Sequence, residues 1–244
     1  MWVEIDDVDS PEGNAEPLNI NPTPVLDFEC RVVIWKTRKL EMMDVEDTTD
    51  AQIRAFFKPR EDKKTDTHWR CQDGNASFNW RLVFPIKSQE PSYTLTIQAW
   101  DRDITSSNEI IGECAIPLDT LIHDACLTHK AQYINSKYFD DWMKQQMKEG
   151  KNPNPKLADE IEFDKGDGDM KGFKDRFWIP VKRPTDDDPE HRGGDILISV
   201  CLLPKDFAEK SPQGPGREEP NNDPYCPPPE GRISFTLNPF KMFA

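Results

Sequence analysis

The chain has 244 residues, 45 of them Asp or Glu against 31 Lys or Arg, for a formal net charge of −14. A surface of that sign argues against nucleic acid as a partner, and it repels an anionic membrane unless something neutralises it locally. Hydrophobic residues make up 36% and prolines number 22, which suggests a globular core carrying long polar insertions or tails.

The first 24 residues read as a lead-in: MWVEI (1–5) suits a strand and the remainder a linker. Eight segments then carry strand-like alternation or β-branched and aromatic content: 28–35, 52–57, 65–70, 78–84, 93–100, 110–118, 177–181 and 195–203. KPRED at 58–62 suits a hairpin tip. DGN at 73–75 suits a tight turn, because Gly74 tolerates positive φ and Asp73 can bond its own backbone. Short, regularly spaced strands without intervening helices predict an all-β fold, an eight-stranded antiparallel β-sandwich.

Between strands six and seven lies an insertion, 119–176. Its centre, 131–150, predicts a helix stopped by Gly150 and the NPNP that follows, with Tyr138, Trp142 and Met143 on a packing face. EFDKGDGDMKG (162–172) looks briefly like a calcium loop. It fails the EF-hand pattern, since glycines fill ligand positions and the twelfth residue is Asp175, so a solvated loop is the expectation. After Pro204 the chain is rich in Pro, Gly, Asn and Glu, and ends in the apolar piece ISFTLNPFKMF (233–243). The expected organisation is a lead-in (1–24), a β domain (25–205) with its insertion, and a Pro-rich extension (206–244).

Six cysteines are scattered without a CxxC pair, and the four histidines, His68, His123, His129 and His191, are isolated. That pattern suits neither a zinc site nor a disulfide framework; a reducing compartment fits best. Cys30, Cys114 and Cys201 sit in strand-like runs as small core residues. Trp35, Trp69, Trp80, Trp100 and Trp178 also lie in strands, with core packing expected for most. There is no GxSxG, P-loop or HExxH, so no enzyme is expected. No apolar run approaches 20 residues, so the chain as given reads as soluble and unanchored.

The chemistry lies in the acids. WDRDITSSNEIIG (100–112) places Asp101, Asp103 and Glu109 between two strands, and the first inter-strand loop adds Asp44 and Asp50. Loops at one end of a sandwich converge, so all five acids can share one pocket. Their mutual repulsion would cost several kcal/mol unless a cation sits among them or some are protonated. Flexible carboxylate loops suit Ca2+, which takes six to eight oxygens in loose geometry, better than Mg2+ or zinc. The opposing reading is solvated loop charge with no ion.

Acids six apart in loop one, with a WDxDxxxxx(D/E)xIG loop three, resemble a C2 domain of the calcium-binding type. All five ligand positions of that family are acidic here, with Glu109 where Asp is usual and DAQI where D-P-Y-V is usual. RVVIWKT (31–37), KKTDTHWRCQDGNASFNWRLVFP (63–85), IQAWDRD (97–103), GREEPNNDPY (216–225) and ISFTLNPFKMF resemble the last C2 domain of a ferlin, just before its membrane anchor. The resemblance implies a C2 β-sandwich at the cytoplasmic face of a vesicle or plasma membrane, in a tail-anchored parent whose anchor follows Ala244. It implies calcium-dependent binding to an anionic phospholipid membrane in fusion, exocytosis or repair, with neighbouring ferlin domains or fusion-machinery proteins as further partners. Once calcium neutralises the loops, Met42, Met43 and Val45 in loop one, and Arg102 and Ile104 in loop three, would meet lipid. Lys63 and Lys64, with Lys58, Arg60, His68 and Arg70, form either a lipid-binding basic patch or, with Glu61, Asp62 and Asp66 interrupting them, a mixed-charge surface strand. A calcium-independent protein-interaction scaffold built on the insertion and the tail is the alternative function.

Overall fold

In the computed structural model of the chain, described residues are 24–44, 47–103, 107–150, 156–164, 175–183, 185, 188, 190–212 and 214–216. β1 (Asp27–Arg38) places Phe28, Cys30, Val32 and Ile34 in the main core and Val33 and Trp35 on the opposite face, with a register shift between Ile34 and Lys36. β2 (Thr49–Phe56) follows the first loop, and β3 (Lys63–Lys64) and β4 (His68–Cys71) both pair with β2. The segment 65–70 was expected as one strand. It divides because Thr65 turns its side chain to the ladder: its hydroxyl accepts from the Ile53 amide at 3.1 Å and donates to the Asp66 carbonyl at 2.7 Å. β5 (Ser77–Lys87), β6 (Thr94–Asp101) and β7 (Glu109–Pro117) complete the first part of the chain.

The insertion opens with a helix that the sequence reading missed, α1 (Asp119–Thr128), which buries Leu121, Ile122 and Ala125. β8 (Gln132–Tyr133) then pairs with a later strand, so the expected helix over 131–150 begins only at Tyr138, as α2 (Tyr138–Lys148). Tyr138 and Phe139 anchor α2, the Tyr138 hydroxyl donating to the Pro117 carbonyl at 2.8 Å. Trp142 and Met143 are only half-buried. α3 (Lys156–Glu160) and β9 (Glu162–Phe163) lead to β10 (Phe177–Lys182), β11 (Arg192–Pro204) and α4 (Lys205–Lys210). Most of the suspected calcium-loop segment 162–172 lies outside the described residues.

Strand order is β3-β2-β6-β7-β10-β11-β1-β5, and every pairing among the described residues is antiparallel. One register pair, Glu113 with Lys182, joins the β2–β7 half to the β10–β5 half. The two halves therefore close like a nearly complete barrel around one core, which includes Ile53, Leu95, Ile97, Ile116, Phe177 and Ile198. This is the antiparallel β-sandwich expected.

A second, smaller cluster, Val33, Trp35, Trp178 and Leu197, lies on the outer face. The Arg38 guanidinium stacks 4.2 Å over Trp178, and Trp35 Nε1 donates to Ser199 Oγ at 3.1 Å. Beside this cluster the chain after α4 runs back along the sheet. The buried Arg31 donates to the Ser211 carbonyl at 2.6 Å, and the buried Arg81 to the Gly214 carbonyl at 2.7 Å and the Gly216 carbonyl at 3.2 Å. Of the tryptophans, Trp80 joins the main core, while Trp69 and Trp100 are half-buried beneath the Arg102 and Arg54 guanidinium groups. Cys30 and Cys114 are core residues, Cys201 is partly exposed, and the described cysteines are free.

Candidate functional site

The root of the first loop is wedged between two turns. The Leu40 amide donates to the Gly74 carbonyl at 3.2 Å and the Glu41 amide to the Gly193 carbonyl at 2.9 Å. Gly74 has φ +69°, and a Cβ there would lie 2.3 Å from Leu40 N, so the DGN turn needs glycine for conformation and for space. From this root the loop carries Asp44 to the strand end at Asp50.

β2 and β6 bring the next acids together. Ala51 faces Asp101 in register, and Asp101 faces Glu109 across the β6–β7 hairpin. The Asp50 amide donates to Asp101 Oδ1 at 2.6 Å, and the Arg102 amide donates to the Asp50 carbonyl at 2.9 Å. The Arg70 amide, presented by a residue with φ +54°, donates to Asp50 Oδ1 at 2.6 Å. Thr48 Oγ1 donates to Asp44 Oδ2 at 2.9 Å.

Electrostatics ties four of the five acids into one group. Burial pushes Asp101 up to about 6; the Asp50 amide opposes this, and the Asp44 and Asp103 charges add to it. Asp50 is also raised, by burial first, with the Arg70 amide opposing and Asp44 and Asp103 contributing. Like charges that contribute to such a shift are close and incompletely screened. Glu109 is exposed at the hairpin mouth.

Among the described residues, no group of three or more His, Cys, Asp or Glu is disposed to hold a metal ion. Asp44, Asp50 and Asp101 each have one oxygen accepting from a hydroxyl or amide of the protein. Their chemistry nonetheless fits a hard cation: all are oxygen donors, and a divalent charge would offset the burial, and the smaller like-charge effect, that raise Asp50 and Asp101.

The expected lipid contacts fall in different places. Met43 is half-buried against the core, and Arg102 is exposed beside loop three. Lys63 and Lys64 are exposed on the edge strand β3 at the far end of β2 from the acids. Val45 and Ile104 lie outside the described residues.

Glu41, Arg183 and His191 at this end of the domain were missed by sequence reasoning. Glu41 Oε2 meets Arg183 Nη2 at 3.1 Å and His191 Nε2 at 3.0 Å. Their sequence separations of 142 and 150 residues leave no local signal to find.

Comparison with known proteins adds the following. The C2 domain family model matches residues 28–135. Myoferlin of Mus musculus is 27% identical, the alignment covering 99% of this chain and 12% of that protein. Fer-1-like protein 4 of Mus musculus is 26% identical, covering 100% of this chain and 14% of that protein. Ferlin 1 of Toxoplasma gondii is 26% identical over 82% of this chain and 11% of that protein. The chain thus spans between 11% and 14% of the length of these relatives. Among solved structures, a C2 domain of plant extended synaptotagmin 1 aligns at 13% identity and TM-score 0.41, covering 72% of this chain and 94% of that one. Residues 28–135 thus match the C2 domain model, and the chain is similar to ferlins over most of its length.

Proposed function

We propose that this is a calcium-dependent phospholipid-binding module of a ferlin-like protein, a binding domain and not an enzyme. The observation that carries the reading is the meeting of acids at one end of the sandwich, where the Asp50 amide donates to Asp101 Oδ1 at 2.6 Å and Glu109 faces Asp101 in register. Calcium would enter between loops one and three, with Glu109 closing the mouth. Asp44, Asp50 and Asp101 would then exchange protein donors for the ion. The neutralised loops would approach anionic headgroups, with Arg102 available for lipid phosphate and Met43, Val45 and Ile104 for the interface. Lys63 and Lys64, at the opposite end of β2, would serve a membrane lying along the side of the sandwich. The similarity to ferlins supports extending the proposal to attachment at the cytoplasmic face of a vesicle or plasma membrane and a role in fusion, exocytosis or repair.

A calcium-independent interaction scaffold is the competing reading. It is favoured by the lack, among the described residues, of an acid group disposed to hold a metal and by the exposed Leu127 and Met147 on the insertion helices. Flotation with phosphatidylserine liposomes, in calcium and in chelator, separates the two. Calcium-dependent flotation that is lost in the double variant Asp101→Asn, Asp103→Asn supports the switch. Equal binding by that variant sinks the site, and no flotation in either condition favours the scaffold.

A further inference from the structure

Arg183 follows the last residue of β10, and one guanidinium there reaches two other loops. Its Nη2 pairs with Glu41 Oε2 at 3.1 Å. Its Nη1 donates to the Ile110 carbonyl at 3.0 Å and lies 3.8 Å from Met43 Sδ. Glu41 and Met43 belong to loop one, and Ile110 follows Glu109 at the end of loop three. His191 approaches the same Glu41 oxygen from the other end of the β10–β11 loop, whose ends are joined by the Arg183 amide donating to the His191 carbonyl at 3.0 Å.

The side chains of Arg183, Glu41 and His191 are 28%, 34% and 32% exposed. Ion pairs this open contribute about 0–1 kcal/mol to stability, so fold maintenance does not account for the arrangement. Its geometric effect is specific. It fixes the span between Glu41, just ahead of Asp44 in loop one, and Ile110, which directly follows Glu109. Those two loops carry like charges that push apart. The Arg183 charge is matched by Glu41, so it braces the acids without acting as their counter-ion.

We propose that Arg183 is a positioning residue for the cation site: through Glu41 and the Ile110 carbonyl it ties the base of loop one to the end of loop three, so that calcium has less loop motion to restrain. The inference rests on the calcium reading of the acid loops. Without the brace, fewer molecules hold the binding-competent spacing, and apparent affinity falls in proportion to that fraction.

The test is calorimetric titration of the whole chain with calcium, paired with thermal unfolding in chelator, for wild type, Arg183→Met, Arg183→Lys, Glu41→Gln and the Arg183→Met, Glu41→Gln double variant. Arg183→Met should weaken calcium binding about tenfold, equivalent to about 1.4 kcal/mol, while its melting temperature in chelator stays within about 3 °C of wild type. Arg183→Lys should recover part of the affinity, because an ammonium can meet Glu41 but lacks the fork that also reaches Ile110. The double variant should lose no more than Arg183→Met alone. Wild-type affinity in Arg183→Met, no recovery with Lys, or additive losses in the double variant would overturn the brace. A wild-type chain that takes up no calcium would overturn the calcium reading and the brace together, which distinguishes that failure from the others.

Discussion

Asparagine in place of Asp101 removes a charge and keeps the shape. Its side-chain carbonyl can still accept the Asp50 amide, which Asp101 Oδ1 now takes at 2.6 Å. Asp101 is 2% exposed and is raised from 3.8 to about 6, by burial first and then, against the Asp50 amide, by Asp44 and Asp103. An acid with a folded pKa above its unfolded one is penalised in the folded state when ionised. The penalty is absent below the unfolded pKa, grows as pH rises from about 4 to about 6, and is complete above that. A shift of about two units corresponds to about 3 kcal/mol, which solvent screening at a loop end reduces to about 1–2 kcal/mol. Asp101→Asn should therefore be more stable than wild type in chelator near neutral pH, melting about 3–6 °C higher. The gain should shrink to about half a kcal/mol near pH 4 and vanish below about pH 3, where the carboxyl is protonated in both the folded and unfolded states. Saturating calcium should reverse the order, because ligand binding stabilises the wild type and the variant lacks a full ligand set. Circular-dichroism melts under these three conditions provide the readout. A variant no more stable than wild type in chelator at neutral pH would refute the claim that Asp101 carries uncompensated charge.

Three further perturbations have definite outcomes. Gly74→Ala places a Cβ 2.3 Å from Leu40 N at φ +69° and should cost about 2 kcal/mol or more, seen as a lower urea midpoint with an unchanged slope. Phe139→Ala removes a ring that packs edge-on 5.9 Å from Phe177, and should cost about 3–5 kcal/mol, with early proteolysis of the 119–164 segment. Asp195 is 5% exposed and accepts from Arg38 Nε and Arg192 Nε, both at 2.9 Å. Asp195→Leu leaves Arg38 with Glu162 and both guanidinium groups within reach of solvent, so it should cost only about 1–2 kcal/mol in equilibrium unfolding.

Strands were legible from sequence because alternation and burial coincide in β6, and because the continuous buried runs of β1, β5 and β11 are rich in β-branched and aromatic residues. Legibility failed where a side chain took over a backbone role, as at Thr65, and where tertiary pairing overrode helical pattern, as at Gln132–Tyr133, which joins β11. α1 was hidden because its Leu121, Ile122 and Ala125 follow directly on the apolar run of β7. The acids were legible by spacing, since strand ends fix where loop residues emerge. Their present hydrogen bonds were not, because they depend on amides delivered by a neighbouring strand and by Arg70 in a left-handed conformation. The Glu41, Arg183 and His191 contacts arise only once the sandwich closes.

The return of the chain after α4 also has a mechanical meaning. Pro204 ends β11 opposite Phe28, whereas Gly216 lies against Val33 and Arg81, well further along β1. A pull applied beyond Gly216 meets the arginine-to-carbonyl contacts one after another, in peeling geometry, before any load reaches the β1–β11 ladder in shear. Arg81 would yield first and Arg31 later, each release lengthening the lead by a few residues. The strap is a serial fuse that gives way while the sandwich and its acidic loops keep their shape.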